Sequence, residues 1–117
     1  MTIEARKKLH FATKIAREKK AEDLVALDMR KIANFCDYFV ICSGNSQKQV
    51  EGIADAIEEA FLKNRIKTAN SNGTRNGLWA LLDYGDLIVH VFFKEIREYY
   101  NLERLWIDAQ RIRIPKG

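Results

Sequence analysis

Cysteine and histidine are scarce in this sequence, and their scarcity argues against metal and disulfide chemistry. The 117-residue chain has two cysteines, Cys36 and Cys42, and two histidines, His10 and His90. The cysteines lack the Cys-x-x-Cys spacing that is typical of zinc and redox sites. Two buried free thiols are therefore favoured over a metal site or a disulfide, and we expect no metal and no cofactor.

Long apolar runs are absent as well. The sequence contains no run of about 18 apolar residues, so no membrane span is expected. The N-terminus lacks the apolar core and cleavage site of a signal peptide, and Glu4 is atypical of an organelle transit peptide. We therefore expect a cytoplasmic protein with no membrane partner.

Internal repeats, linkers and low-complexity segments are also missing, which indicates one domain over residues 1–117. A chain of this length buries one core but not two. Hydrophobic residues make up 47% of the chain and charged residues 31%, the balance of a soluble globular protein. Residues 1–2 and 111–117 have little to pack against and are expected to be frayed.

The net charge of +4 is unevenly distributed along the chain. Residues 1–31 hold nine Lys and Arg against five acids, whereas residues 79–108 hold three against six. The basic segment is typical of a solvated helix face, although an electrostatic contact with nucleic acid stays open. The acidic segment is also rich in aromatics, and this combination favours a basic protein partner.

Apolar periodicity predicts an α/β (α+β) fold, with a mixed sheet of about five strands packed by helices. Helical spacing marks residues 3–20 and 47–63, and Ser46 with Gln49 forms a capping box before the second helix. The predicted strands cover residues 24–27, 38–42, 66–69, 78–82 and 87–93. Residues 30–36 form a connector, and a helical segment follows the last strand. The predicted order is α-β-β-α-β-β-β-α, in a single domain.

The last two predicted strands form a hairpin. With Tyr84-Gly85 as a two-residue loop, Asp83 lies opposite Asp86 and Trp79 lies opposite His90. One face of this hairpin is then wholly apolar and must belong to the core. The other face combines aromatic, imidazole and carboxylate side chains, which is where recognition is expected.

Aromatic residues in this region divide into core and surface candidates. Trp106 and Tyr100 are spaced to pack under the sheet. Tyr84 at the turn tip and Trp79 on the mixed face are poor core candidates but suit the centre of a protein interface. Replacing Tyr84 with alanine is therefore expected to leave the fold intact.

Two patterns with catalytic counterparts are interpreted structurally. The turn at residues 43–46 resembles that of nucleotidyltransferases, but no carboxylate pair follows on a strand to hold Mg²⁺. The turn is therefore read as a helix cap, with only a weak indication of phosphate binding. His90 is expected to stack on Trp79, although a pair with Cys42 stays open. Gly52 costs its helix about 1 kcal/mol relative to alanine, which predicts close packing there.

Several segments share the pattern of one known family. They are WALLDYGDLIVHVF at 79–92 and REYYNLERLW at 97–106, with KKAEDLVALD, DYFVICSGNS and QVEGIADAI upstream. These segments span most of the chain, and together they resemble the ribosomal silencing factor family (RsfS, also called Iojap-like). The family usually has Glu-Gly shortly before the hairpin tryptophan, where this chain has Asn72-Gly73. The role of that loop carboxylate therefore stays open.

The resemblance implies a nucleotidyltransferase-like sheet and a binding protein that is not an enzyme. It implies docking on the large ribosomal subunit through ribosomal protein fourteen, which blocks joining of the small subunit and represses translation when nutrients are scarce. A part in large-subunit biogenesis and a homodimer of the free protein are also implied, and a minor contact with ribosomal RNA stays open. The alternatives are a divergent nucleotidyltransferase-fold enzyme and an RNA-binding module.

The residues expected to contact the partner lie in the hairpin and in the acidic, aromatic segment after it. They are Trp79, Asp83, Tyr84, Asp86, Arg97, Glu98, Tyr99 and Glu103. The aromatic members are expected to anchor the complex. Arg97 is expected to orient the neighbouring carboxylates.

Overall fold

Strands Tyr38–Gly44 and Leu87–Phe93 pair in parallel at the centre of one mixed sheet. The structure, a computed structural model, describes residues 4–68, 73–74, 77–100, 104 and 107–114. Its helices within those residues are α1 (Ala5–Glu18), α2 (Gln47–Lys63) and α3 (Lys94–Tyr100). Its strands there are β1 (Glu22–Asp28), β2 (Tyr38–Gly44), β3 (Gly73–Thr74), β4 (Trp79–Asp83), β5 (Leu87–Phe93) and β6 (Gln110–Ile112).

The strands lie in the order β3-β4-β5-β2-β1-β6. Only the central pair, β2 with β5, is parallel within the described sheet, and the other neighbours are antiparallel. The predicted fold class, a mixed α+β sheet in one domain, is confirmed. None of the helices in the described part of the chain is long and apolar enough to cross a bilayer.

The predictions for two segments of the chain are wrong. Residues 66–68 form no strand, and the short strand before the hairpin is instead β3 at Gly73–Thr74. Residues 111–117 were expected to fray, but within the described residues 111–114 strand β6 pairs with β1, where Ile112 lies opposite Ala26. The expected frayed residues 1–2 and 115–117 lie outside the described residues. The side chains of Ile112 and Ile114 pack against the main core, so burial of two isoleucines fixes this end of the sheet.

The hairpin register differs from the predicted one by two residues. Trp79 lies opposite Phe92, and Leu81 lies opposite His90. The loop is Gly85-Asp86, because the Tyr84 amide donates to the Leu87 carbonyl at 2.8 Å and so continues the ladder. A slip of two residues keeps every side chain on its predicted face, since strand side chains alternate with a period of two.

The two faces of the sheet carry separate apolar clusters. Helices α1 and α2 cover the first face, where Val40, Leu82 and Val89 meet Ile53 and Phe61. The second face carries a smaller cluster, which is formed by Leu27, Met29, Cys36, Phe39, Ile41, Ile88 and Phe92. All seven residues of β2 are buried, as expected of a central strand that is covered on both sides.

The start of α2 is held by the predicted capping box in a modified form. Ser46 Oγ accepts from the Gln49 amide at 3.0 Å. The Gln49 side chain does not bond back to the amide of Ser46. Its Oε1 accepts from the Asn45 amide at 2.7 Å instead, and its Nε2 donates to the Lys20 carbonyl at 3.1 Å. It therefore also ties α2 to the turn that follows α1.

The expected close packing at Gly52 is wrong. Apart from its chain neighbours and the backbone of its own helix, no atom of the described residues lies within 4 Å of a Cβ built there. The close approach lies instead at Gly77, which has a φ of +85° and where a Cβ would fall 2.5 Å from the Gln47 side chain. Glycine is therefore required where the hairpin strand approaches α2, and not in the middle of that helix.

We predict that Gly52→Ala raises the free energy of unfolding by about 0.5–1 kcal/mol. Alanine restores helix propensity and has room for its methyl group at this position. Urea denaturation measures the change, with Gly77→Ala as the matched substitution that should lower stability. A destabilised Gly52→Ala protein would show that the helix is packed closely at this position.

Candidate functional site

Four rings lie side by side across the second face of the sheet. We call Trp79, His90, Phe39 and Phe35 the aromatic row. Its ring centroids are 6.0 Å apart from Trp79 to His90, 4.8 Å from His90 to Phe39 and 6.1 Å from Phe39 to Phe35. The row therefore runs from β4 across β5 and β2 to the connection between β1 and β2.

The row is covered in the middle and open at its ends. His90 and Phe39 are each 4% exposed, whereas Phe35 is 53% exposed and Trp79 is half-buried. Along β4, half-buried Trp79, Leu81 and Asp83 alternate with buried residues. The alternation leaves apolar surface and one carboxylate on this face, which suits recognition of another protein.

His90 fixes the position of the tryptophan. Trp79 Nε1–H donates to His90 Nδ1 at 3.3 Å, so the imidazole proton is on Nε2. That Nε2 is buried and has no hydrogen-bond partner among the described residues. Burial lowers the pKa of His90 to about 4, which keeps the ring neutral at physiological pH. The predicted contact between His90 and Trp79 is confirmed.

The alternative pair of His90 with Cys42 is not formed. Cys42 packs in the cluster on the helix-covered face, whereas His90 lies on the other side of the sheet. Both Cys36 and Cys42 are free and buried, as expected. Burial raises the pKa of each thiol to about 12, so neither forms a thiolate nucleophile near neutral pH.

The expected exposure of Tyr84 is wrong. The side chain is 6% exposed, and its ring lies 4.2 Å from the ring of Phe61 on α2. Its hydroxyl has no hydrogen-bond partner in the described chain, and burial raises the pKa of that hydroxyl. Tyr84 is a core residue because α2 covers the face of the hairpin to which it points.

Asp83 and Asp86 both stabilise the hairpin. Asp83 Oδ1 accepts from the Gly85 amide at 2.8 Å and so closes the turn. Asp86 pairs with Lys8 of α1 at 2.9 Å, and its carbonyl accepts from the amides of Asp37 and Tyr38. The expectation that Asp86 serves the partner is therefore weakened, since its carboxylate already has an internal cation. Asp83 keeps part of its surface on the side of the aromatic row.

Arg97 has a structural role that the sequence did not indicate, and its expected part in orienting the neighbouring carboxylates stays a prediction. Its Nη1 donates to the Asp23 carbonyl at 2.6 Å and to Ser43 Oγ at 2.9 Å, so these two contacts fasten α3 to β1 and β2. Glu98, the next residue on α3, is exposed. The side chain of Tyr99, and all of Glu103 and Trp106, lie outside the described residues.

Sequence reasoning missed the exposed apolar residues of the connection between β1 and β2. Phe35 and Ile32 are 53% and 39% exposed, and they follow two cations, Arg30 and Lys31. The available signal was the pair of large apolar side chains in a short connector. Their exposure cannot be read from the sequence, because Ala33 of the same segment packs against the second cluster.

Comparisons with known proteins agree on one family. A family model described as "Ribosomal silencing factor during starvation" matches residues 2–117. The chain is 48% identical over 101 residues to Ribosomal silencing factor RsfS of Bacillus subtilis, which covers 86% of each protein. It is 24% identical over 107 residues to the mouse protein named Mitochondrial assembly of ribosomal large subunit protein 1, covering 89% of this chain and 47% of that protein.

A solved structure shows the same fold. A crystal structure of a Bacillus halodurans protein is 39% identical to this chain and superposes with a TM-score of 0.83. The match covers 93% of this chain and 99% of that one. The mixed sheet and its helices are thus shared along almost the whole length.

We predict that Tyr84→Ala lowers the free energy of unfolding by about 3 kcal/mol. The substitution removes a buried ring that contacts Phe61. Tyr84→Phe is the matched control and should be neutral or slightly stabilising, because the buried hydroxyl it removes has no partner among the described residues. Chemical denaturation of both variants measures the difference, and equal stability of Tyr84→Ala and the parent would place the ring outside the core.

We also predict that His90 makes stability depend on pH. Its pKa of about 4 in the folded protein lies below the ordinary value of 6.5, so the unfolded state binds the proton more tightly. Folding with a neutral His90 therefore costs nothing above pH 6.5, and the free energy of unfolding decreases as the pH falls from 6.5 toward 4. The loss should be on the order of 1–3 kcal/mol.

Denaturation of the parent and of His90→Phe at several pH values within that window isolates the effect, since phenylalanine does not titrate. The parent should lose more stability than the variant as the pH falls. Parallel curves would show that His90 is not desolvated.

Proposed function

This chain belongs to the ribosomal silencing factor family, and from that premise we propose that it docks on the large ribosomal subunit, blocks joining of the small subunit and thereby represses translation in the cytoplasm. The docking partner we propose is ribosomal protein fourteen of the large subunit. A role in assembly of that subunit is also part of the proposal, and the name of the mouse relative supports it. The observation that carries the proposal is the aromatic row with its two open ends.

The exposed ends of the row supply the contacts that protein interfaces use most. Trp79 and Phe35 are large rings that are held in place by packing and remain accessible. Aromatic residues are enriched among the side chains that dominate binding energy at interfaces. Burying the open part of these rings under a partner adds about 25 cal/mol for each Å² of apolar surface removed from water.

Charge favours a basic partner at the Trp79 end of this face. Asp83 lies on the same face of β4 as Trp79, four residues further along the strand, and the segment that contains both holds six acids against three bases. Opposite charge on a ribosomal protein would raise the association rate and orient the complex. We therefore propose Trp79, Asp83 and Phe35 as direct contacts, with Glu98 at the rim. Tyr84, Asp86 and Arg97 support this surface from within.

Size explains how docking would block translation. The chain measures 36 × 34 × 28 Å along its principal axes. Two ribosomal subunits contact each other at van der Waals distances, so a body of this thickness on the joining surface keeps them apart. Repression then requires binding alone, without any chemical step.

The positions of the aspartates favour a function in binding over catalysis of the nucleotidyltransferase type. Such an enzyme needs two carboxylates that converge on Mg²⁺. Asp83 closes a turn, Asp86 is paired with Lys8, and Asp55 lies on the exposed side of α2. Part of the basic N-terminal segment is likewise engaged with the fold, since the Arg6 guanidinium lies 5.7 Å from the centre of the Tyr38 ring.

We predict that Phe35→Ala and Asp83→Asn each weaken binding to purified large subunits by roughly tenfold, about 1.4 kcal/mol. Asparagine retains an oxygen that accepts from the Gly85 amide, so this substitution removes charge without opening the turn. Both variants should melt within a few degrees of the parent. Co-sedimentation at fixed salt measures affinity, and an assay of subunit joining measures the block.

Leu62→Ala is the matched control for Phe35→Ala. Leu62 is 51% exposed, but it lies on α2, which covers the opposite face of the sheet. It should bind and inhibit like the parent. If the folded double variant of Phe35 and Asp83 retains full affinity and full inhibition, the docking surface lies elsewhere. Pull-down with isolated ribosomal protein fourteen tests the partner separately.

A further inference from the structure

A cleft opens at the carboxyl ends of the two parallel strands, where β2 passes to α2 and β5 passes to α3. Its volume is about 510 Å³, within the range of 300–1,000 Å³ that is typical of small-molecule sites. Ligands of open α/β sheets bind in such crevices outside the carboxyl ends of parallel strands. Arg97 also fastens α3 to the sheet and Glu98 also lies at the rim of the proposed docking surface, whereas Lys94 and Arg111 have no part in that surface.

Three cations from two elements line the cleft. Lys94 comes from the start of α3, Arg97 lies one turn later, and Arg111 comes from β6. The Arg97 side chain is nine-tenths buried, and its Nη1 is held by the Asp23 carbonyl and by Ser43 Oγ. Its guanidinium is therefore fixed before any ligand arrives, and a guanidinium is well suited to phosphate.

The other residues that line the cleft limit the chemical class of ligand that it could bind. The acidic residues Asp23 and Glu98 also line the cleft, and Val25 adds an apolar side chain on the face of the sheet that carries the second cluster. The carboxylates oppose an unselective polyanion but accept hydrogen bonds from hydroxyl and amino groups. A molecule with one phosphate, sugar hydroxyls and a flat ring satisfies all three kinds of lining.

We propose that this cleft binds a nucleoside monophosphate. The phosphate lies against Arg97, Lys94 and Arg111, the hydroxyl or amino groups meet Glu98 and Asp23, and the ring packs on Val25. Binding involves no bond cleavage. The proposal is independent of the ribosome, since every group it uses belongs to this chain.

The test is titration of the purified full chain with each of the four ribonucleoside monophosphates, by calorimetry and by NMR, at fixed ionic strength. At least one should saturate the protein and shift the signals of Ser43 and Arg97. Inorganic phosphate alone and the matching nucleoside alone form separate arms, and each should bind more weakly than the nucleotide. Equal binding of inorganic phosphate would overturn the nucleoside part of the proposal.

Two exposed cations can be removed without touching the buried arginine. The double variant Lys94→Gln/Arg111→Gln should weaken nucleotide binding by roughly tenfold or more, because it removes two of the three charges near the phosphate. The matched control Lys7→Gln/Lys14→Gln removes two exposed cations of α1 and should bind like the parent. Absence of saturation by all four nucleotides at millimolar concentration, or unchanged affinity in the first double variant, would overturn the proposal.

Discussion

The parallel pairing of β2 with β5 is the constraint on which the rest of this structure depends. Every residue of β2 is buried, and its side chains alternate between the two apolar clusters. A parallel pair needs a long crossover and cover on both faces. The crossover contains α2 and the strands β3 and β4, so the helix layer and the hairpin both follow from this one pairing. Helix α1 completes the cover on the first face.

Local sequence patterns were enough to predict the elements on which this pairing depends, but not the edges of the sheet. The bounds of α2 and β5 agree residue for residue with their periodicity. Strand β6 carries one apolar residue, Ile112, and is a strand only because the edge of β1 offers it hydrogen bonds. The hairpin faces were predicted correctly, whereas its register was not. Alternation determines which face a side chain occupies, and a slip of two residues leaves that unchanged.

The candidate site was predicted where chain neighbours determine it and missed where distant elements do. Trp79 and His90 are close because a hairpin joins them, and that contact could be predicted. The burial of Tyr84 depends on Phe61, which belongs to a helix more than twenty positions earlier. The exposure of Phe35 depends on how one connector crosses the second face. A turn tip looks like surface in the sequence, and only the packed helix makes it core.

The second face of the sheet contains a buried histidine, His90, that packing alone does not require. His90 buries an Nε2–H without a partner among the described residues, which costs about 1–3 kcal/mol. A phenylalanine at that position would avoid the cost and could still pack edge-to-face against Phe39 and stack on Phe92. It could not accept the Trp79 indole N–H, as His90 Nδ1 does. The histidine therefore lowers the stability of the fold but holds a half-exposed tryptophan in one orientation. Fixing a side chain before association reduces the entropy that binding must overcome, which is the property required of an anchor at a docking surface.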